Sequence, residues 1–201
     1  MIRLLIADDQ ALVRGAVAAL LNLEGDIEVV AEVGRGDEVV AAVREYGVDV
    51  ALLDVQMPGL DGIEAAAVLK REVPGVRVLV VTTFGRPGFV RRALQAGADG
   101  FVVKDTPARQ LADAVRRVHQ GLRVVDPQLA ADSLAAGDSP LTEREAEVLR
   151  AARDGQPVAA IAASVFLSPG TVRNHLSAAI GKTGAANRTE AIRIAEQSGW
   201  L

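Results

Sequence analysis

The sequence predicts an α/β domain built on a doubly wound parallel sheet, followed by a smaller all-α domain. Short apolar runs rich in Val, Ile and Leu recur through residues 1–120, and segments with helical spacing of their apolar residues separate them. From Leu141 onward the strand-like runs stop, and helix-like segments follow one another. A length of 201 residues suits two small domains.

The first domain contains five strand-like runs that alternate with helical patterns. The predicted strands cover about residues 3–7, 27–33, 49–53, 76–82 and 100–103. Leu12, Ala16 and Leu20 show the spacing of one helix face, and Thr106-Pro107 is a favourable start for the last helix. Five βα units with right-handed crossovers predict the strand order 2-1-3-4-5, with strands one and three at the switch point.

A change in composition separates the two domains. Pro, Ser and Gly after Gly121 predict a linker over residues 121–139, with one short helix near residues 127–136. Thr142 and Glu145 have the spacing of a capping box, and Gly155 is suited to end that helix. Three further helices are predicted at about 158–163, 169–182 and 188–198. We therefore expect domains at residues 1–120 and 140–201.

Composition and charge narrow the class of protein. The absence of Cys excludes disulfides and thiolate chemistry and fits a reducing, cytoplasmic location. No apolar run approaches the roughly 20 residues of a spanning helix, so we expect neither a signal peptide nor membrane insertion. The net charge of −4 is uneven, since no acidic residue lies between Asp154 and Glu190, where Arg173, Lys182 and Arg188 occur. This local basic segment suggests a nucleic-acid partner.

Polar residues stand at the ends of four predicted strands. Asp8 and Asp9 follow the first, Asp54 the third, Thr82 ends the fourth and Lys104 follows the fifth. Each alone has an ordinary explanation as a helix cap or a surface residue. Because the carboxyl ends of parallel strands share one edge of the sheet, we expect these side chains to meet. Three carboxylates, a hydroxyl and an ammonium predict a site for a hard cation and a phosphoryl group.

The second domain contains a helix-turn-helix pattern in VAAIAASVFLSPGTVRNHLSAAIGK. Ser168 and Pro169 are suited to start its second helix, whose polar face includes Arg173 and Asn174. Arg can form paired hydrogen bonds to guanine, and Asn can form them to adenine. Any helical hairpin resembles this pattern, so the pattern alone is weak evidence for DNA binding.

IADDQ, LLDVQMPGLDG, VVTTF and GFVVKD resemble the motifs of receiver domains in bacterial response regulators. Residues 140–198 resemble the four-helix DNA-binding domain of LuxR-type regulators. Together the two domains resemble the NarL/FixJ class of response regulators. Within that class, TTFGRPGF, KDTP and the ending Gly199-Trp200 are most similar to the DesR-type subgroup, which regulates membrane-lipid desaturation.

The resemblance implies roles for residues of the first domain. It implies that Asp54 accepts a phosphoryl group and that Mg²⁺ is bound by Asp8, Asp9, Asp54 and the backbone carbonyl of Gln56. The residues that it implies respond to phosphorylation are Thr82, Phe101 and Lys104. An ordinary core position explains Phe101 equally well. Gln56 and Phe84 border the pocket at positions that influence its access to water and the lifetime of the phosphate. Thr83 stands where receivers commonly have a small residue, and it either narrows the pocket or has a structural role.

The resemblance also implies DNA contacts in the second domain. It places Arg173, Asn174 and Ser177 against the bases. It leaves Thr171, His175 and Lys182 either to contact phosphates or to support the helix. Thr183 stands where the family usually has Leu, which leaves the packing there open.

We therefore predict a phosphorylation-dependent transcription regulator and not an enzyme. A histidine kinase would phosphorylate Asp54, and a homodimer would then bind an operator in double-stranded DNA. The dimer would use the first and last receiver helices, with Leu12, Val13, Ala16 and Val115, or else the fourth and fifth helices.

Three other classes of protein fit the sequence less well. A phosphatase with an aspartyl intermediate usually has a second Asp where this chain has Gln56. A receiver acting only as an unphosphorylated interaction module would not need the intact acidic cluster. A ligand-sensing LuxR-type protein would need a domain richer in aromatic residues than the 3% found here.

Overall fold

The computed structural model describes residues 1–83, 87–126, 129–131 and 139–201. The described chain divides into two compact units, the first within residues 1–83 and 90–126 and the second within residues 139–201. Within the described residues, no helix is both long enough and apolar enough to cross a lipid bilayer.

The first unit is a parallel sheet with helices between its strands. The strands are β1 (Ile2–Ala7), β2 (Ile27–Val33), β3 (Val50–Asp54), β4 (Arg77–Thr82), β5 (Gly100–Val103) and β6 (Val124–Val125). The helices are α1 (Ala11–Asn22), α2 (Val39–Tyr46), α3 (Gly62–Glu72), α4 (Pro87–Gln95) and α5 (Ala108–His119). The order β2-β1-β3-β4-β5-β6 confirms the predicted arrangement of five strands and adds a sixth.

The sixth strand lies within the segment that the sequence predicted to be a linker. Val124 donates its backbone N–H to the carbonyl of Asp99 at 3.1 Å and pairs with Gly100 of β5. A Cβ atom at Gly100 would lie only 2.8 Å from the Val124 carbonyl oxygen, so glycine allows this close approach. Most of the short helix predicted near residues 127–136 lies outside the described residues.

The apolar strands form the centre of the first unit. All five residues of β3 are buried, as are Leu4 and Leu5 of β1 and Leu79 of β4. This burial on both faces explains why the strands appear in the sequence as continuous apolar runs instead of alternating ones. Three buried polar residues, Asp8, Asp54 and Thr82, lie at the carboxyl ends of these strands.

The described part of the second unit is helical, as predicted. Its helices are α6 (Glu143–Ala151), α7 (Val158–Ser164), α8 (Pro169–Thr183) and α9 (Arg188–Gln197). The predicted capping box is confirmed, because the side chains of Thr142 and Glu145 each accept a backbone N–H from the other residue. Ser168 caps α8 through the N–H of Thr171. Apolar residues from all four helices form one core, including Leu149, Ile161, Val172 and Ile192.

Candidate functional site

The predicted polar residues of the first unit meet at the carboxyl edge of the sheet. One carboxylate oxygen from each of Asp8, Asp9 and Asp54 lies within 4.8 Å of the other two. Asp8 and Asp54 are buried, whereas Asp9 is exposed. The Nζ atom of Lys104 lies 2.8 Å from Asp8 Oδ2 and 3.0 Å from Asp54 Oδ2. The strand ends therefore bring together a cluster of three carboxylates with a bridging ammonium.

The donor set of this cluster fits a divalent metal ion. Magnesium binds oxygen ligands and is commonly held by one or two carboxylates together with water and phosphate oxygens. Lys104 supplies one positive charge against the three carboxylates of Asp8, Asp9 and Asp54, so the cluster keeps an excess of negative charge. A hard cation would neutralise that excess.

The electrostatics of the pocket follow from burial and from the bridging ammonium. Burial raises the pKa of Asp54, the Asp8 carboxylate adds to this, and the ammonium of Lys104 offsets only part of it. Burial by itself would lower the pKa of Lys104, but the ion pairs with Asp8 and Asp54 outweigh burial, and the pKa is raised. The amine therefore stays charged.

A tight loop after β3 packs directly against the strand end that carries Asp54. Gly62 donates its N–H to the Val55 carbonyl at 3.0 Å, and Val55 donates to Val81 of β4 at 3.0 Å. A Cβ atom at Gly62 would lie 1.9 Å from the Asp54 carbonyl oxygen, so only glycine fits. Asp61 then caps α3 by accepting the N–H of Glu64.

Short contacts also fix the neighbouring strand ends. The Gln10 N–H donates to Asp8 Oδ1 at 2.9 Å, and the Asp8 N–H donates to the Val33 carbonyl of β2 at 3.1 Å. The backbone N–H of Lys104 donates to the Thr82 carbonyl at 2.7 Å, which joins the two strand ends that carry the predicted switch residues.

Four further residues of the first unit were predicted to act at the pocket or close to it. Phe101 is fully buried in β5, as expected of a core residue, and its switching role stays a prediction. Gln56 is exposed, and the role of its backbone carbonyl as a metal ligand stays a prediction. Thr83 is exposed, and Phe84 lies outside the described residues.

The polar face of α8 carries the predicted base-contacting residues. Arg173, Asn174 and Ser177 are all exposed, whereas Val172 and Leu176 are buried against the other helices. The side chains of Arg173, Asn174 and Ser177 make no hydrogen bond to any residue that the structure describes. These groups are therefore available to a ligand.

The supporting residues of α8 are engaged within the unit. The Thr171 hydroxyl lies 2.8 Å from the Ser168 hydroxyl. Lys182 Nζ lies 2.9 Å and 2.8 Å from the two carboxylate oxygens of the buried Glu145. These contacts favour helix support over phosphate contact for Thr171 and Lys182. His175 is half-buried on the same helix.

The Thr183 hydroxyl is hydrogen-bonded within its own helix, at the position where the family usually has Leu. Its Oγ1 atom donates to the carbonyl oxygens of Ala179 at 2.8 Å and Ile180 at 3.1 Å. Both acceptors lie within α8 itself. The substitution of a polar residue at this half-buried position therefore leaves no unpaired hydroxyl.

Burial separates the residues that were predicted to form a dimer surface. Leu12 is 87% exposed and Ala16 is exposed, but Val13 is half-buried and Val115 is fully buried in the core. Val115 therefore cannot contribute to an interface in this conformation. Its apolar spacing on α5 reflects packing against the sheet.

Sequence reasoning missed Arg14 as a residue of the site. Its guanidinium donates a hydrogen bond to the backbone carbonyl of Asp8. The sequence offered no signal for this contact, because a lone Arg on an amphipathic helix normally indicates a solvated face.

Family models match both units of the chain. Residues 4–116 match the response regulator receiver domain, and residues 139–195 match the luxR family of bacterial regulatory proteins. The chain belongs to the NarL/LuxR family of two-component response regulators. Members of this family are transcription regulators, so the phosphatase alternative is set aside.

Relatives of this response regulator share both of its domains. It is 42% identical over 201 residues to the transcriptional regulatory protein DesR of Bacillus subtilis, covering 100% of each chain, which confirms the predicted resemblance. The crystal structure of the response regulator ChrA of a heme-sensing two-component system matches with a TM-score of 0.60 and 34% identity, over 100% of this chain and 98% of that one. A response regulator RcsB–DNA complex matches with a TM-score of 0.67 and 25% identity, over 98% of each chain.

Proposed function

We propose that a histidine kinase phosphorylates Asp54 in the presence of Mg²⁺ and that the phosphorylated chain dimerises and binds an operator. The observation that carries this proposal is the bridging of Asp8 and Asp54 by Lys104 inside the acidic cluster. We further propose that residues 1–120 form the receiver, that residues 121–139 are the linker, whose first part adds β6 to the receiver sheet, and that residues 140–201 form the DNA-binding domain. A cytoplasmic location follows from these partners.

The phosphorylation step requires an ionised and accessible carboxylate. A carboxylate oxygen of Asp54 attacks the phosphorus atom of the donor, an acyl phosphate forms and the bond from phosphorus to the leaving group breaks. Asp8, Asp9, Asp54 and the Gln56 carbonyl would hold Mg²⁺, which neutralises negative charge on the phosphoryl oxygens. Burial disfavours the charge on Asp54, and the Lys104 ammonium counteracts this before transfer.

The response to phosphorylation begins at the same ammonium. New phosphoryl oxygens on Asp54 compete with Asp8 for Lys104, and the Thr82 hydroxyl at the end of β4 supplies a hydrogen bond to them. Because β5 carries both Phe101 and the chain leading to Lys104, a shift of that strand end would reach the core around Phe101. Such a shift would give the receiver surface two alternative conformations, and phosphorylation would favour one of them.

An exposed apolar stripe along α1 and its C-cap supports the alternative in which the dimer uses the first and last receiver helices. The stripe consists of exposed apolar and small residues at helical spacing, and they are Leu12, Gly15, Ala16, Ala19, Leu20 and Leu23. Leu12 is 87% exposed and Leu23 is 81% exposed. An apolar helix face of this kind is suited to pack against the same face of a second copy.

Analytical ultracentrifugation tests the dimer surface. Ala16→Arg, in the middle of the stripe, should keep the phosphorylated protein monomeric. Leu122→Arg changes an exposed apolar residue outside α1 and should leave the dimer intact. Dimerisation of the phosphorylated Ala16→Arg variant would move the interface away from α1.

Labelling with a small radioactive phosphodonor and Mg²⁺ tests the phosphoacceptor. Wild type should incorporate label and Asp54→Asn should not. Asp105→Asn is a matched control, because Asp105 is an exposed aspartate that follows Lys104 directly. Equal labelling of wild type and Asp54→Asn would refute the assignment.

The DNA contacts are proposed for the exposed face of α8. Arg173, Asn174 and Ser177 would read base edges. Thr171 and Lys182 would support the helix, and His175 would either support it or contact a phosphate. The match to an RcsB–DNA complex supports a DNA-binding role for this chain. Arg173→Ala should lower the preference for operator over random DNA by about 1–3 kcal/mol. Arg144→Ala on α6 is the control, and unchanged selectivity in Arg173→Ala would move base reading elsewhere.

A further inference from the structure

Arg14 joins three parts of the first unit. It lies on α1 with a side chain that is only 19% exposed. Its Nη1 atom donates to the backbone carbonyl of Asp8, and its Nε atom lies 3.5 Å from Glu32 Oε2 on β2. A mostly buried guanidinium therefore contacts the main chain within the acidic cluster.

The Asp8 carbonyl belongs to the peptide group that connects Asp8 to Asp9. A hydrogen bond to that oxygen fixes the plane of the peptide group, because the peptide unit is rigid. The plane in turn fixes the direction in which the chain carries the two side chains that flank it. Arg14 therefore acts on the relative placement of Asp8 and Asp9.

Asp9 depends on this backbone contact more than Asp8 does. The Asp8 carboxylate is held independently by the Gln10 N–H and by Lys104. The Asp9 carboxylate is exposed and has no hydrogen-bond or ion-pair partner among the described residues. Its position beside the other two carboxylates therefore rests on the main chain.

We propose that Arg14 is a positioning residue for the divalent metal site. It acts through the Asp8 carbonyl and does not itself contact the metal. This inference rests on the proposed function, since it concerns the same acidic cluster. Residues that orient metal ligands without binding the metal typically change its affinity by 10–100-fold when they are replaced.

Three variants separate this role from its alternatives. Arg14→Ala removes the contact to the Asp8 carbonyl and the pairing with Glu32. Arg14→Lys keeps the positive charge and one donor. Glu32→Gln removes only the charge that faces Arg14 and leaves the contact to the Asp8 carbonyl, so it tests whether Arg14 acts merely by anchoring α1 to β2.

The measurement is Mg²⁺ titration of the full-length protein without phosphodonor, followed through the amide resonances of residues 8–10. Arg14→Ala should bind Mg²⁺ about tenfold or more weakly than wild type. Arg14→Lys should restore most of the affinity, and Glu32→Gln should stay close to wild type. Phosphodonor labelling of Arg14→Ala should recover at saturating Mg²⁺.

Two outcomes would overturn the inference. Wild-type Mg²⁺ affinity in Arg14→Ala would show that the contact does not position the ligands. Equal weakening in Glu32→Gln and Arg14→Ala would assign the effect to the anchoring of α1. Failure of the proposed function is a separate result, because wild type would then bind Mg²⁺ no better than Asp9→Asn.

Discussion

The ammonium of Lys104 lies 3.0 Å from Asp54 and 2.8 Å from Asp8, so one buried cation joins the ends of three strands. Only 14% of the Lys104 side chain is exposed, and the two carboxylates are more buried still. Any new negative charge on Asp54 acts directly on this ion pair. Lys104 is thus both a stabilising contact in the resting pocket and the first group that phosphorylation would affect.

Replacing Lys104 by Met should destabilise the first unit in a pH-dependent manner. Breaking a buried ion pair by removing one partner costs about 3–5 kcal/mol of unfolding free energy. Burial already raises the pKa of Asp54 in the folded state, and the loss of Lys104 removes what opposes this rise. When the pKa of a carboxyl is raised in the folded state, the free energy of unfolding falls as pH increases. The loss of unfolding free energy in Lys104→Met should therefore be largest at neutral pH and smaller in acid.

Urea unfolding followed by circular dichroism checks this prediction at neutral pH and at about pH 4. The double variant Lys104→Met/Asp54→Asn is the control, since it leaves one fewer buried carboxylate unpaired. It should be more stable than Lys104→Met alone. A deficit that is equal at both pH values would contradict the electrostatic explanation.

Gly62→Ala should disturb Asp54 without changing any charged group. The added methyl would lie 1.9 Å from the Asp54 carbonyl oxygen, so the strand end or the loop must move. We expect a loss of about 1–3 kcal/mol in unfolding free energy and at least tenfold slower phosphodonor labelling. Gly75→Ala is the matched control, because nothing lies within 4 Å of its added Cβ atom. Labelling at the wild-type rate in Gly62→Ala would show that the loop tolerates the shift.

The sequence predicted the strands because buried parallel strands are continuous apolar runs, and it predicted their order because right-handed βα units restrict how strands connect. It did not predict β6, because two valines next to charged and turn residues carry no periodic signal. Pairing there depends on the missing side chain of Gly100, whose neighbours come from distant parts of the chain. A short strand at the edge of a sheet, such as β6, is determined by tertiary contacts.

The candidate site could be predicted where its residues occupy strand ends. Asp8, Asp54, Thr82 and Lys104 were found this way, since topology alone brings strand ends together. Arg14 was not, because its role comes from one side chain reaching a backbone carbonyl. Val115 is one of the residues on the two candidate helix faces that fill the core, and helical spacing alone does not separate these from the exposed ones.

Asp99 should show the opposite pH dependence to Asp54. It lies at the amino ends of the strands, directly before β5, and its carboxylate is 2.6 Å from Lys70 and 3.0 Å from Arg77. Burial would raise its pKa, but Lys70, Arg77 and the Val78 N–H outweigh burial, and the pKa is lowered. A carboxyl whose pKa is lowered in the folded state contributes stability at pH values above its unfolded-state pKa, and that contribution is lost as pH falls through the folded-state pKa.

Asp99→Asn should therefore cost about 3 kcal/mol at neutral pH, and the difference from wild type should shrink below about pH 4. Urea titrations across this range measure it. Asp113→Asn is a suitable control, since its carboxylate is largely exposed and pairs within α5. A difference that persists unchanged in acid would mean that Asp99 acts through shape and hydrogen bonding alone.

Lys182→Met should weaken the second unit without changing the salt dependence of DNA binding. Lys182 pairs with both oxygens of Glu145, and this pairing outweighs burial and lowers the pKa of that carboxyl. Since the lysine is partly exposed, its removal should cost about 1–2 kcal/mol, measurable by the fluorescence of Trp200, the single tryptophan, which packs on the helical core.

Each phosphate contact contributes about 0.9 to the slope of log affinity against log salt concentration. An ammonium committed to Glu145 contributes none, so Lys182→Met should keep the wild-type slope, and Lys182→Arg should keep both slope and stability. A slope reduced by about 0.9 in Lys182→Met would instead show that Lys182 leaves Glu145 for a phosphate on binding DNA.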